Sequence, residues 1–132
     1  MLTLMGGQKG TMNPLREASM NTNYYILDGK TPVAIDIEKN ARTYMEGNRR
    51  ILRTETRSGH LISTVFLQID HNFNEQGPPV LFETMIFKDG EGYHDLYCRR
   101  FSNYDDAITN HLLLLEQICD SGIESVLEGD PL

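Results

Sequence analysis

Residues 61–70 (LISTVFLQID) and 80–88 (VLFETMIFK), joined through the loop at 71–79 (HNFNEQGPP), decide the fold of this chain. Both stretches are rich in β-branched and aromatic residues, a composition that suits a pleated, half-buried surface. Their apolar residues fall on both faces, as in strands that have neighbours on either side. The loop between them carries Asn72, Asn74, Gly77, Pro78 and Pro79 and is short enough to make the two strands antiparallel neighbours. Working outward, residues 50–57 (RILRTETR) alternate weakly and turn at Ser58-Gly59 into the first strong strand. Asp89-Gly90 turns the second strong strand into another over 93–100. The two weaker strands are expected to flank the strong pair.

Helical spacing appears on either side of this block. Ile37, Ala41, Tyr44 and Met45 recur at i, i+4, i+7 and i+8, which predicts a helix over 36–46 with Asp36 as N-cap and Gly47-Asn48 as its stop. Upstream, Tyr24-Tyr25-Ile26-Leu27 reads as a first strand closed by Asp28-Gly29. Downstream, Ser102 with Asp105 three residues on resembles a capping box. Ala107, Ile108, His111, Leu112, Leu115 and Ile118 then form one helical face that ends near Asp120 to Gly122. The order β-α-β-β-β-β-α predicts an α+β fold, a four- to five-stranded antiparallel sheet packed by two helices.

A length of 132 residues fits one ordinary domain. Residues 1–19, with Gly6, Gly7, Gly10 and Pro14 and no periodicity, are expected to be a flexible leader or to lie upstream of a natural start at Met20. Residues 20–122 are expected to form a single α+β domain. Residues 123–132 (IESVLEGDPL) read as an acidic C-terminal tail whose Ile123, Val126 and Leu127 are placed to cap the core. With 39% hydrophobic and 23% charged residues the chain has the means to build a core. Its longest apolar runs are four residues, as at Leu112–Leu115, far below the roughly 20 that a membrane span needs. The N-terminus lacks the apolar stretch of a signal peptide. Cys98 and Cys119 have no metal-site spacing and read as free, reduced thiols, which points to the cytoplasm.

The net charge of −7 is unevenly spread. From Asp105 onward the chain has no Lys or Arg, whereas the residues before it are nearly neutral. Such a chain is a poor general ligand for nucleic acid, whose phosphates demand cations. The acidic third, with Glu116, Asp120 and Glu124, reads either as a solubilising surface or as a face for a basic protein partner.

No P-loop, Rossmann glycine pattern, H-E-x-x-H or G-x-S-x-G is present, and neither cofactor nor metal site is expected. Candidate catalytic residues are Asp70 and His71 at a strand end beside a Pro/Gly-rich loop, Glu83 within a central strand, and His111 on an apolar helix face. Symmetrical loop closure pairs position 70 near 80 and Glu83 near Leu67, leaving His71 and Glu83 about 13 Å apart. The plainer expectation is that His71 caps the loop, that Glu83 meets Arg53 or Arg57 across the sheet, and that His111 is a core residue satisfied by hydrogen bonds. Arg53 and Arg57, with His71, are candidate contacts for a small anionic ligand. Because Arg53 and Arg57 share a strand face with Glu55, they also read as a salt-bridged edge that discourages sheet pairing. The outer strands at 50–57 or 93–100 offer an edge to a second copy, so a homodimer is a further expectation.

Four phrases, NYYILDGKTPV, ISTVFLQIDHNF, GPPVLFETMIF and RRFSNYDDAITNH, together resemble a family of small phage- and prophage-encoded proteins of unassigned function. The likeness rests on Asp70-His71 at a strand end, Pro78-Pro79, the strand residues Phe82, Glu83, Thr84 and Met85, and His111 in a helix. Asn110 stands where the family often has Gly. The resemblance covers most of residues 20–112. It implies a phage origin, and with it a small protein that binds and modulates a host macromolecule in takeover or anti-defence. The competing expectations are a binder of a nucleotide or other small anion, and a small hydrolase or metal enzyme using Asp70, His71 and Glu83.

Overall fold

Tyr24–Asp28 (β1) and Thr31–Ile35 (β2) open the fold as an antiparallel hairpin, turned at Gly29, whose φ of 64° suits a residue without Cβ. The computed structural model describes residues 23–74, 76–88 and 95–129. The expected leader over 1–19, the turn at Asp89-Gly90 and the last three residues lie outside them. After the hairpin come α1 (Ile37–Glu46), β3 (Arg50–Glu55), β4 (His60–Phe66), β5 (Phe82–Lys88), β6 (Asp95–Phe101), α2 (Tyr104–Ser121) and α3 (Ile123–Gly129).

The architecture is α+β with antiparallel strands, as the periodicities predicted. Four strands form one sheet in the order β3-β4-β5-β6, with the two strong strands inside and the two weak ones at the edges. The structure adds β2, which gives β1 a partner in a separate two-stranded sheet, and α3, a helix within the acidic tail. The chain divides into two compact units, one holding the residues up to Arg49 with Phe66–Leu81, the other Arg50–Val65 with the residues from Phe82 onward.

In the first unit Asp36 caps α1 as expected, its side chain accepting from the Glu38 N–H, and Gly47 ends the helix. The anticipated apolar face is only partly used. Tyr44 packs edge-on to Tyr24 at 5.4 Å between ring centroids, but Met45 is 80% exposed and α1 has no buried residue. The strand read as continuous to Asp70 stops at Phe66, because Gln68 turns to a φ of 68°, a region rare for residues other than glycine. Its neighbours hold it there. The Gln68 carbonyl accepts from the Tyr25 N–H at 2.8 Å, and its side-chain amide donates at 2.8 Å to the Tyr44 carbonyl, which also accepts from the Gly47 N–H at the end of α1. A Cβ on Gly47 would come within 3.2 Å of that amide, so the helix stop doubles as the space that lets Gln68 approach.

In the second unit α2 and α3 pack on the four-stranded sheet. The core is Ile62, Ile86, Tyr97, Leu114, Ile118 and Val126, with Leu115, Ile123 and Leu127 packed against it. Burying side chains of this size contributes roughly 1.5–3 kcal/mol each. Ala107, His111 and Ile118 of α2 are buried as expected and Leu115 packs against the core, but the cap and one position of the inner face differ. Asn103, not Ser102, is the N-cap, its side chain accepting from the Asp106 N–H at 2.8 Å. Residues 102–105 and 103–106 both satisfy the local capping pattern, so packing decides between them. Ala107, His111, Leu114 and Ile118 face the sheet, and Leu112 does not.

Candidate functional site

The register of α2 leaves two adjacent leucines at the surface. With Ala107, His111, Leu114 and Ile118 turned inward, the opposite stripe carries Asp105, Thr109, Leu112, Leu113, Glu116 and Asp120. Leu112 is 51% exposed and Leu113 57%. Their i, i+4 neighbours on the outer face include Glu116, and all three expected protein-binding residues, Glu116, Asp120 and Glu124, are exposed. Asp105 and Asp106 sit in the first turn, where carboxylates favour the helix dipole. Asp120 sits in the last turn, where a carboxylate is disfavoured, and no basic residue offsets it. Two leucines thus stand in water on the same face as Asp120, whose last turn has no basic residue. The sequence showed the carboxylates. It did not show the leucines, because a run of four admits more than one buried register.

The expected catalytic residues each make the contacts of a residue that holds the fold. Glu83, 8% exposed, lies directly across from Arg100 in the β5–β6 pairing, and the Arg100 Nε donates to its Oε2 at 2.8 Å. Its partner is therefore on β6, where neither Arg53 nor Arg57 stands. The Cys98 thiol also donates to Glu83 at 3.6 Å. Burial, then the adjacent carboxylate, pushes that thiol up to about 11.

His111 is fully buried, and both ring nitrogens are engaged. Thr54 Oγ1 lies 2.9 Å from Nε2, and Thr64 Oγ1 lies 2.8 Å from Nδ1. Thr64 also meets Thr84 Oγ1 at 2.6 Å, so hydroxyls from β3, β4 and β5 form a chain through the imidazole of α2. Burial holds the His111 pKa below its ordinary value and keeps the ring neutral. A neutral imidazole has one donor and one acceptor, and the rotating hydroxyls satisfy either tautomer.

In the first unit Asp70 closes its loop. Its Oδ1 accepts from the N–H groups of Asn72 at 2.8 Å and Val80 at 2.9 Å. His71 donates from Nδ1 to the Ile69 carbonyl at 2.8 Å, and its ring lies 5.8 Å from that of Phe73. The Asp-His pair thus staples the strand end and the Pro-rich segment together, the role expected of a loop cap. Arg53 pairs with Glu55 at 3.7 Å on the exposed β3 edge. Arg57 lines a cleft in the second unit, and His71 belongs to the first.

The chain matches no family model, no curated protein and no solved structure. Among the described residues no helix is long and apolar enough to cross a membrane. None of His, Cys, Asp and Glu gather in threes among those residues in a way that could hold a metal ion.

Proposed function

We propose that this protein works by binding another protein through the outer face of α2, continued by Glu124 of α3. The observation that carries the reading is the pair Leu112 and Leu113, each more than half exposed within a stripe of carboxylates. An amphipathic helix of this kind fits a partner groove with an apolar floor for the leucines and a basic rim for Asp105, Glu116 and Asp120. The acidic rim speeds encounter and rejects acidic surfaces, while the desolvated leucines supply most of the affinity. The resemblance to phage-encoded proteins supports a host protein as that partner, in takeover or anti-defence.

Native mass spectrometry of the tagged protein drawn gently from host lysate identifies the partner, and a purified-component binding assay follows. Leu112→Ser with Leu113→Ser, and separately Glu116→Lys with Asp120→Lys and Glu124→Lys, are each expected to weaken binding at least 30-fold. All five positions are at the surface, so circular dichroism and the melting temperature should stay near wild type. Unchanged affinity in both variants removes this face from the interaction.

A further inference from the structure

Between the turn that joins β3 to β4 and the C-terminal half of α2 lies a cleft of about 540 Å³, within the roughly 300–1,000 Å³ typical of small-molecule sites. Its two sides differ in chemistry. The turn contributes Thr56, Arg57 and Ser58, and α2 contributes Leu115, Ile118 and the exposed Cys119. We propose that this cleft binds a small organic anion with an apolar body, its charged head at Arg57 and its hydrocarbon against Leu115.

The turn is built to hold its polar groups in place. Thr56 N–H donates to the His60 carbonyl at 2.8 Å, and the His60 N–H donates back to Thr56 Oγ1 at 3.0 Å. Ser58 Oγ sits 2.8 Å from both Thr56 Oγ1 and His60 Nδ1. These bonds fix the two hydroxyls beside Arg57. The cation is the distinguishing element. Glu55 also lines the cleft, but its carboxylate meets the Arg53 guanidinium, and no described acidic side chain pairs with Arg57.

The acidic face of α2 sets the ligand class. Glu116 and Asp120 stand next in sequence to Leu115 and Cys119 and disfavour a bare anion nearby. Inorganic phosphate, with no apolar surface, has only Arg57 and two hydroxyls to offset that field. A ligand that also covers the exposed part of Leu115 gains about 25 cal/mol for each Å² of apolar surface it removes from water. A medium-chain carboxylate is the simplest molecule that meets both demands. The cleft and the outer stripe of α2 involve different side chains, so this site stands independently of the docking face.

Cys119 serves as a built-in reporter. The full-length protein is alkylated with iodoacetamide, and modification of the Cys119 peptide is followed by mass spectrometry with octanoate, octanol or inorganic phosphate present. Octanoate is expected to slow Cys119 alkylation at least fivefold in the wild type and less than twofold in Arg57→Ala. Octanol and phosphate are each expected to protect less than twofold. Absence of protection by octanoate in the wild type, or equal protection in Arg57→Ala, overturns the proposal. Equal protection by octanol overturns the anionic head, and equal protection by phosphate overturns the apolar body. Arg57 lies in an exposed turn, so its replacement leaves the fold in place, and an unchanged melting temperature confirms it.

Discussion

Glu83 and Arg100 face one another across β5 and β6, with the Arg100 Nε 2.8 Å from the Glu83 carboxylate. The glutamate side chain is 10% exposed and the arginine 46%, so the pair joins a desolvated anion to a cation that reaches water. Removing the cation leaves a buried charge without its main compensation. Arg100→Ala is therefore expected to cost about 1–3 kcal/mol in urea denaturation. Glu83→Gln with Arg100→Gln should recover part of that loss, since neither then leaves a lone charge.

Thr64 is the joint of the buried hydroxyl chain, because it touches both His111 and Thr84. Thr64→Val keeps the shape and removes the hydroxyl, leaving a ring nitrogen and the Thr84 hydroxyl without that partner. A loss of about 1–3 kcal/mol is expected by chemical denaturation, and Thr64→Ser, which retains the hydroxyl, should lose less.

The same cluster makes stability depend on pH. Burial depresses the folded-state pKa of His111, while the unfolded chain protonates near 6.5. Above that value both states hold the ring neutral, and the stabilisation is fully present. As pH falls below about 6.5 the unfolded state binds the extra proton, and stability declines by at most about 1.4 kcal/mol per pH unit until the native ring titrates. Denaturation midpoints measured from pH 7.5 downward should show this slope near pH 6 in the wild type. In His111→Gln, less stable throughout, the histidine part of the slope should vanish.

The two thiols should differ sharply in reactivity. Cys98 is partly buried beside the Glu83 carboxylate with its pKa pushed up to about 11, whereas Cys119 is exposed. The thiolate is the reactive form, so at pH 8 Cys119 is expected to react with a disulfide reagent at least tenfold faster than Cys98 in the native protein. Equal rates for the two native thiols would contradict this arrangement of β6.

The amino-acid sequence by itself determined the four strands of the larger sheet, the first strand of the hairpin and the two longer helices. β-Branched and aromatic runs at 61–70 and 80–88, Asp36 before an apolar helical spacing, and Asp28-Gly29 at a turn act through neighbours along the chain. The tertiary structure decided which residues those elements present. The α2 register followed from fitting Ala107, His111, Leu114 and Ile118 to the sheet, a choice that Leu112–Leu115 left open locally. That choice turned Leu112 and Leu113 outward and made the candidate docking face. Gln68 likewise took a backbone conformation uncommon for its type, because a helix carbonyl and the Tyr25 N–H, both distant in sequence, bind it there. Glu83 found Arg100 instead of an arginine of β3, since strand pairing places β6 directly across from it. Local propensity acts over a few residues, and these pairings join residues 17 or more apart, so only the folded chain could set them.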